Sequence, residues 1–394
     1  MFVARILLFK IVAMKKNVLL FAALFFLSSV VFFSCSNDND PGVTEPPEVP
    51  EEPGDGNGDG NSGVVTLENV LVNQIDSVVI PTVEHYAVET GDLLGAAQSF
   101  SSALSAENLT ALRQAYQSTY LAYQAIAVHN YFATVNQGLV PNTNLYPIDV
   151  DLLTDFIASE AYNFNTTDQE RANGFPALDY LLYGPEDVLG FFEEDELRVA
   201  FLLELVISID IRAQGLEDQW TGSLRDNFVG NTGTALGSSV SEQLNQITVY
   251  YEEHIRENKV GIAIGRLGPN DTPIDPSPTH IEAYYQSLVD GNDTFTFQLL
   301  RAAVEEVEDF YLGSEPSGAD GASYDDLLIA ADQASIDADI KTQFENIYAI
   351  LDSRTTVSGD DTLYEAIQQI VTLFKSDLFP VLNVQDADGM NDGD

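Results

Sequence analysis

Several residue types are scarce in this chain of 394 residues, and each scarcity excludes something. Cysteine occurs once, at Cys35, so no internal disulfide can form. Lysine and arginine number 16 against 62 aspartates and glutamates, which gives a formal net charge of −46. A chain this acidic repels nucleic acid and anionic lipid headgroups, so we expect neither as a partner. Solubility and capture of cations both explain the charge, and the charge alone does not distinguish them.

The first 34 residues have the layout of a secretory signal peptide. Lys15 and Lys16 form a short basic segment, and residues 17–33 are almost wholly apolar. Met14 directly precedes the two lysines, so we predict that it is the true start of the protein. No stop-transfer charge follows the apolar stretch, which favours a cleaved signal over a transmembrane helix.

The residues around Cys35 resemble a bacterial lipobox, which predicts cleavage before this cysteine and lipidation of its thiol. A plain secreted protein and an uncleaved anchor are the alternatives. Residues 35–63 are rich in proline, glycine and acidic residues, so we predict a disordered linker. The acidic residues directly after Cys35 resemble the export signal of Bacteroidetes surface lipoproteins. We therefore expect an outer-membrane lipoprotein, with its folded part facing either the outside or the periplasm.

Residues 64–385 have the pattern of an all-α domain. Apolar residues recur at three- and four-residue spacing, and strand signals are weak. The predicted helices cover 66–90, 107–135, 194–219, 238–259, 280–289, 294–312, 336–352 and 361–379. Pro81 predicts a kink, and glycine-rich residues 227–237 and 313–322 predict loops. The length suffices for two packed helical bundles in one unit, followed by an acidic, glycine-rich tail at 386–394.

Four stretches within this helical part resemble the imelysin family. They are residues 143–157 (TNLYPIDVDLLTDFI), 173–184 (NGFPALDYLLYG), 233–268 (GTALGSSVSEQLNQITVYYEEHIRENKVGIAIGRLG) and 279–288 (THIEAYYQSL). The resemblance implies two helical bundles, related by duplication, that enclose a cleft. It also implies an iron-regulated protein of the periplasm or outer membrane, in a family first described as metallopeptidases.

The signature of that family, Gly-x-His-x-x-Glu on a helix, is altered in this chain. The matching residues are Gly174, Pro176 and Asp179. In the signature, histidine and glutamate three positions apart share one helix face and can converge on a metal. Pro176 offers no side-chain ligand, which disfavours a metallopeptidase. Asp179 lies in an apolar run, so we expect it either to face the cleft or to be held by a partner.

Other residues of the resembling stretches are candidates for the lining of the cleft. They are Tyr146, Asp149, Tyr180, Ser238, Lys259, His280 and Glu282. Their positions also predict structural roles. Asp149 and Ser238 are placed as helix N-caps, and Glu242 would complete a capping box with Ser239. Lys259 is predicted near a helix C-terminus and Glu282 in a first turn, where each suits the helix dipole.

The remaining histidines carry weaker predictions. His254 and Glu257 have the His-x-x-Glu spacing, but their charged surroundings predict a solvated helix face. His85 and His129 stand singly on aromatic-rich helices and are predicted to be core or surface residues. The sequence contains neither a His-Glu-x-x-His motif nor a Gly-x-Ser-x-Gly nucleophile elbow, so standard protease chemistry lacks its parts.

Three functions remain open at this level. The first is a non-proteolytic binding or accessory protein in iron or haem acquisition, whose partner would be a TonB-dependent receptor or a haem protein. The second is a divergent metallopeptidase that uses Asp179, His280 and Glu282. The third is a structural or adhesion lipoprotein with an unused cleft. Iron is the implied metal, and the tail residues Asp386, Asp388 and Asp392 are weak calcium candidates because calcium takes carboxylate oxygens.

Overall fold

All regular elements that the structure describes are helical, which confirms the all-α prediction. The computed structural model describes residues 65–164, 171–266, 273–314, 321–357 and 359–387. Cys35, Asp388 and Asp392 lie outside these residues, as do the predicted signal peptide and linker. The described residues belong to one compact unit, Ser62–Asp394. None of the described helices is long and apolar enough to span a membrane.

The described helices of the first half range from 4 to 25 residues in length. They are α1 (Leu67–Asn73), α2 (Ile80–Ser102), α3 (Ala106–Val128), α4 (Ala133–Asn136), α5 (Leu139–Thr143), α6 (Val150–Ser159), α7 (Gly174–Tyr183), α8 (Val188–Glu194), α9 (Glu196–Trp220) and α10 (Ser223–Gly230).

The second half continues in the same manner. Its helices are α11 (Ser239–Tyr250), α12 (Tyr284–Asp290), α13 (Thr294–Leu312), α14 (Tyr324–Ala330), α15 (Ala334–Asp352), α16 (Thr362–Leu373) and α17 (Phe379–Leu382). Among the described residues there are three π-helical segments: Gln74–Val79 joins α1 to α2, Tyr251–Gly261 continues α11, and Phe374–Leu378 joins α16 to α17.

Two groups of helices carry the core. In the first, α2 packs between α3 and α9, and α7 contacts both α3 and α9. In the second, α16 packs against α15 and against the π-helical segment Tyr251–Gly261, while α13 contacts α14 and α15. Helix α3 packs along α13 and so joins the two groups. The short helix α12 contacts α7, which brings the altered motif next to the second half of the chain.

An aromatic cluster fixes α7 against α3. The ring of Phe175 stacks on Tyr120, with centroids 4.4 Å apart and planes within 8° of each other. Tyr116 and Tyr123 tilt against the same Phe175 ring. All four side chains are buried, and apolar burial of this size contributes several kcal/mol, at about 25 cal/mol per Å². The register of the motif on α7 is therefore set by core packing.

Several boundaries differ from the sequence prediction. The helix predicted over 107–135 ends at Val128, and the one predicted to end at residue 90 continues to Ser102. Residues 227–230 are helical although a loop was predicted from residue 227, because Phe228 and Val229 are buried and anchor the end of α10 to the core. The helix predicted from residue 280 begins at Tyr284, since Ala283 has a left-handed backbone (φ 51°). At Pro81 a kink was predicted. Here the π-helical segment passes directly into α2, and Pro81, which has no backbone N–H, stands at the start of α2 where the two meet.

Candidate functional site

The altered motif lies in the wall of a cleft of about 320 Å³. This cleft is formed by α7, by the chain that leads into α6 and by the start of α12. Its lining is mainly tyrosine and proline, with one carboxylate. The lining residues are Tyr146, Pro147, Ile148, Pro176, Asp179, Thr279, Ile281, Ala283, Tyr284 and Tyr285. Of the predicted residues, the fold thus brings Tyr146, Pro176 and Asp179 together.

Gly174 and Pro176 have the structural roles that open helix α7. Gly174 has a left-handed backbone (φ 68°), and a Cβ atom there would lie 2.0 Å from the carbonyl oxygen of Thr143. Only glycine allows this close approach of two backbone segments. Pro176 stands in the first turn of α7. N–H groups in a first turn have no intrahelical acceptor, so the lack of an N–H in proline costs no helical hydrogen bond there. The predicted helix start at this proline is confirmed.

Asp179 caps the helix on the opposite side of the cleft. Its Oδ2 accepts a hydrogen bond of 2.7 Å from the amide of Tyr285, and its Oδ1 accepts one of 3.1 Å from the amide of Gln286. The residue is only 2 % exposed. Burial raises the pKa of this carboxyl to about 7, although the two amides and the hydroxyl of Tyr116 act in the opposite direction. Asp179 therefore both lines the cleft and is held by partners.

The motif residues do not fit a catalytic metal. Both carboxylate oxygens of Asp179 are engaged by backbone amides, and Pro176 has no ligand atom in its side chain. Catalytic zinc takes three protein ligands and keeps one open position. Within the described residues, no three side chains of histidine, cysteine, aspartate or glutamate are grouped so that they could hold a metal ion.

Behind the cleft, Glu282 is the centre of a buried polar network. The ammonium group of Lys259 donates to Glu282 Oε2 and, over 2.7 Å, to Gln124 Oε1. The side-chain amides of Gln124 and Asn144 donate to Glu282 Oε1 over 3.0 and 2.6 Å. Tyr120 donates to Asn144 Oδ1 over 2.6 Å. The Lys259 and Glu282 side chains are 4 % and 1 % exposed, so this ion pair is shielded from water.

The first-turn position predicted for Glu282 is wrong, whereas Lys259 lies in the last turn of a helical segment, as predicted. Glu282 precedes α12, and Asp179, from a different helix, binds the first free amides of α12 instead. Lys259 lies near the end of a π-helical segment, but its side chain points to Glu282. Burial lowers the pKa of this lysine, and the charge of Glu282 opposes that shift. Pairing across the fold has replaced the local helix-end interactions.

His280 and Tyr146 form an aromatic pair beside the cleft. Their ring centroids are 4.8 Å apart, and His280 Nε2 has no hydrogen-bond partner among the described residues. Burial, and then the charge of Arg171, lowers the pKa of His280 to about 4. The imidazole is therefore neutral at neutral pH. A neutral ring packs against the tyrosine without the cost of a desolvated charge.

The other predicted cleft residues lie around this centre or apart from it. Tyr180 contacts Tyr285, with ring centroids 5.0 Å apart. Asp149 caps α6 by accepting a 2.9 Å hydrogen bond from the amide of Leu152, as predicted. Ser238 caps α11 and is not among the residues that line the cleft. The predicted capping box is wrong, because Ser239 donates to the carbonyl of Phe228 instead of capping the helix.

The solvated helix face predicted around His254 is also wrong. Arg256 and Lys259 are buried, because this π-helical segment packs against α16. His254 packs on Tyr250 with ring centroids 4.7 Å apart, and burial lowers its pKa to about 4. His129 is a core residue, as one of the two predicted alternatives had it, and its Nε2 lies 2.6 Å from Glu306 Oε1.

The tail begins against helix α11. Asn245 donates from its side-chain amide to the carbonyl of Gln385 over 3.1 Å and accepts from the amide of Ala387 over 2.8 Å. Asp386, one of the three calcium candidates, lies between these two contacts. The calcium prediction itself rests mainly on residues outside the described part.

The polar partners of Glu282 were missed by sequence reasoning. Gln124 and Asn144 belong to no motif. In the sequence, Tyr120 cannot be distinguished from the other aromatic residues on the apolar face of α3. The one available signal is Gln124, a polar residue among Tyr120, Tyr123 and Ile126 on an otherwise apolar helix. A buried amide at such a position requires a partner, although the pattern does not identify it.

Comparison with known proteins adds two findings on fold and family. An imelysin-like protein from Psychrobacter arcticum 273-4 has a crystal structure that matches with a TM-score of 0.64 and 16% identity, over 83% of this chain and 98% of that one. A putative iron-regulated protein A precursor from Parabacteroides distasonis ATCC 8503 matches with a TM-score of 0.64 and 14% identity, over 82% and 97% of the two chains. No curated protein matches. The Imelysin family model matches residues 79–373, and the chain therefore belongs to the imelysin family.

Proposed function

We propose that this protein is a lipid-anchored binding protein of the cell envelope that acts in iron or haem acquisition without cleaving peptides. In this proposal the cleft beside α7 holds the ligand, and the lipid on Cys35 keeps the domain at the outer membrane. A TonB-dependent receptor or a haem protein would then be the partner that delivers or receives the ligand.

One observation carries the non-proteolytic part of the proposal. The carboxylate at the motif position, Asp179, is committed to the amides of Tyr285 and Gln286. The two other groups that a divergent peptidase would use are not disposed for catalysis either. Glu282 is bound by Lys259, Gln124 and Asn144, and His280 packs on Tyr146. A cleft whose acidic groups all have structural partners is suited to binding rather than to activation of water.

The size and lining of the cleft support a binding role. A volume of about 320 Å³ falls at the lower end of the range of roughly 300–1,000 Å³ that small-molecule sites have. Tyrosine and proline rings with a few polar groups are the usual lining of such sites. The iron context is supported by one similar structure, that of a putative iron-regulated protein A precursor.

The physiological role is tested by growth under iron limitation. We expect deletion of the gene in the source organism to slow growth when iron is limiting, with a ferric salt or with haem as the iron source, and the wild-type gene to restore it. A Cys35→Ser variant should be recovered from the soluble fraction and should not restore growth, because a single lipid is the only anchor predicted. Unchanged growth of the deletion strain under every iron source would contradict the role in acquisition.

The absence of peptidase activity is a separate prediction. Purified residues 64–394 should cleave neither casein nor the insulin B chain, with or without added zinc, because Pro176 supplies no metal ligand and both oxygens of Asp179 already accept backbone hydrogen bonds. The measurement is the appearance of new peptides by mass spectrometry over one day. Cleavage that EDTA abolishes and zinc restores would instead establish the divergent metallopeptidase.

A further inference from the structure

The cleft does not end at Tyr146. Pro147 and Ile148, which belong to its wall, also line a shallow neighbouring depression. The other residues of that depression are Asp149, Val150, Asp151 and Arg171. A ligand bound in the cleft could therefore extend past Pro147 and contact Arg171. This places a guanidinium group at the mouth of a site walled by aromatic rings.

Arg171 has an uncommon position among the arginines of this acidic chain. Arg225, Arg301 and Arg354 each pair with a carboxylate. Arg171 is exposed, and within the described residues it forms no ion pair and donates only to the carbonyl of Pro147, over 3.2 Å. Most of its planar set of donors is thus available to a ligand. A guanidinium with free donors binds a carboxylate through two parallel hydrogen bonds.

The two acidic residues of the depression, Asp149 and Asp151, do not pair with the guanidinium group of Arg171. Asp149 is engaged at the N-terminus of α6, where its Oδ1 accepts from the amide of Leu152. Asp151 lies in the first turn of the same helix, at the end where the helix dipole stabilises a negative charge. Neither forms an ion pair with Arg171. Both carboxylates would nevertheless repel a ligand with several negative charges, which favours a single carboxylate.

The walls of the cleft favour a flat ring. Tyr146, already paired with His280, lines one part of it, and Tyr284 and Tyr285, which contact each other at 5.2 Å, line another. Aromatic rings attract one another at centroid separations of about 4.5–7 Å. A planar ligand between the two pairs of rings can therefore pack against both of them. The volume of about 320 Å³ suits a molecule with one or two rings and is too small to enclose a whole tetrapyrrole.

We infer that the cleft binds a small aromatic carboxylate, with its ring among Tyr146, Tyr284 and Tyr285 and its carboxylate on Arg171. This inference rests on the proposed function, since it names the ligand class of the same cleft. It also connects with iron, because aromatic acids with ring hydroxyls offer the hard oxygen ligands that ferric iron accepts.

Salicylate and its neutral analogue salicylamide are the probes that test this assignment. We expect calorimetry at low ionic strength to show binding of salicylate, and binding at least about tenfold weaker for salicylamide, since hydrogen bonds between charged partners are the strong ones. Arg171→Gln should weaken salicylate binding by a similar factor and leave salicylamide unchanged. Tyr284→Leu, which removes an aromatic ring from the wall of the cleft, should weaken both probes.

Arg225→Gln is the matched control, because it removes the same charge from an arginine that pairs with Asp76. It should leave salicylate binding within about twofold of wild type. The assignment is overturned if the wild type fails to bind salicylate at millimolar concentration, if salicylamide binds equally well, or if Arg171→Gln and Arg225→Gln have equal effects. Such results would leave the growth and peptidase outcomes untouched, so a failure here is separable from failure of the proposed function.

Discussion

Replacing Glu282 by glutamine is expected to destabilise the fold by about 3–5 kcal/mol, the usual cost of removing one partner from a buried ion pair. The substitution keeps the shape of the side chain and removes its charge. Lys259 would then be left as a buried ammonium group without a counter-charge, although Gln124 still accepts one of its hydrogen bonds. Urea unfolding followed by circular dichroism measures the loss.

The pH dependence of this loss identifies its cause. Burial already lowers the pKa of Lys259, and the charge of Glu282 is the influence that opposes the shift. Without Glu282 the folded-state pKa falls further below the usual value of about 10.4, so the protonated lysine destabilises the folded state more than it does in the wild type. The cost of the variant should therefore shrink as the pH rises from 7 toward 10. A loss that is constant with pH would contradict this explanation.

Two further variants control this experiment. Lys259→Met combined with Glu282→Gln leaves no unpaired charge, so the double variant should recover most of the stability that the single one loses. Asp352→Asn makes the same change of charge at the surface pair Arg301–Asp352, where both side chains are partly exposed. There we expect less than about 1 kcal/mol, as is typical of solvent-screened pairs.

Asp179→Asn is expected to change how stability depends on pH. The folded-state pKa of Asp179 is raised to about 7, so the folded protein holds this proton more tightly than the unfolded chain does. The resulting stabilisation is fully present below the unfolded pKa of about 4 and is lost as the pH rises through 7. Integrated over that window, it amounts to at most roughly 4 kcal/mol. Asparagine does not titrate, so the variant lacks this dependence.

The measurement is the difference in unfolding free energy between Asp179→Asn and wild type at pH 5, 6, 7 and 8. The variant should be least stable relative to wild type at pH 5, where the wild type has most of the stabilisation from its bound proton, and the difference should shrink steadily toward pH 8 as the wild type loses it. Asp309→Asn is a control outside the cleft, since burial and the neighbouring Glu306 raise the pKa of Asp309 to about 7 as well. Both variants should therefore change the pH dependence of stability. A difference for Asp179→Asn that does not vary with pH would show that its carboxyl titrates normally in the fold.

Local sequence rules predicted much of the helical framework. The N-cap at Asp149, the start of α7 around Gly174 and Pro176, and the extent of α13 at residues 294–312 were all predictable. These features depend on residues no more than four positions apart, on the fixed φ of proline and on glycine's freedom at positive φ. The altered motif was equally visible, because a proline cannot supply a ligand in any fold. The composition, the family resemblance and the prediction of a lipobox likewise come from the sequence alone.

Tertiary structure alone decided which charges meet. Glu282 pairs with Lys259, 23 positions away, and with Gln124, 158 positions away, while Asp179 caps a helix that begins more than 100 residues later. Local patterns placed Glu282 and Lys259 at helix ends because a single sequence gives only neighbouring partners. Once α3, α7 and the π-helical segment pack together, these polar side chains are desolvated, and a desolvated charge requires a partner wherever the fold supplies one. For that reason the sequence by itself determined the helices and the motif, and only the packing of those helices decided that the motif carboxylate became a helix cap beside an aromatic cleft.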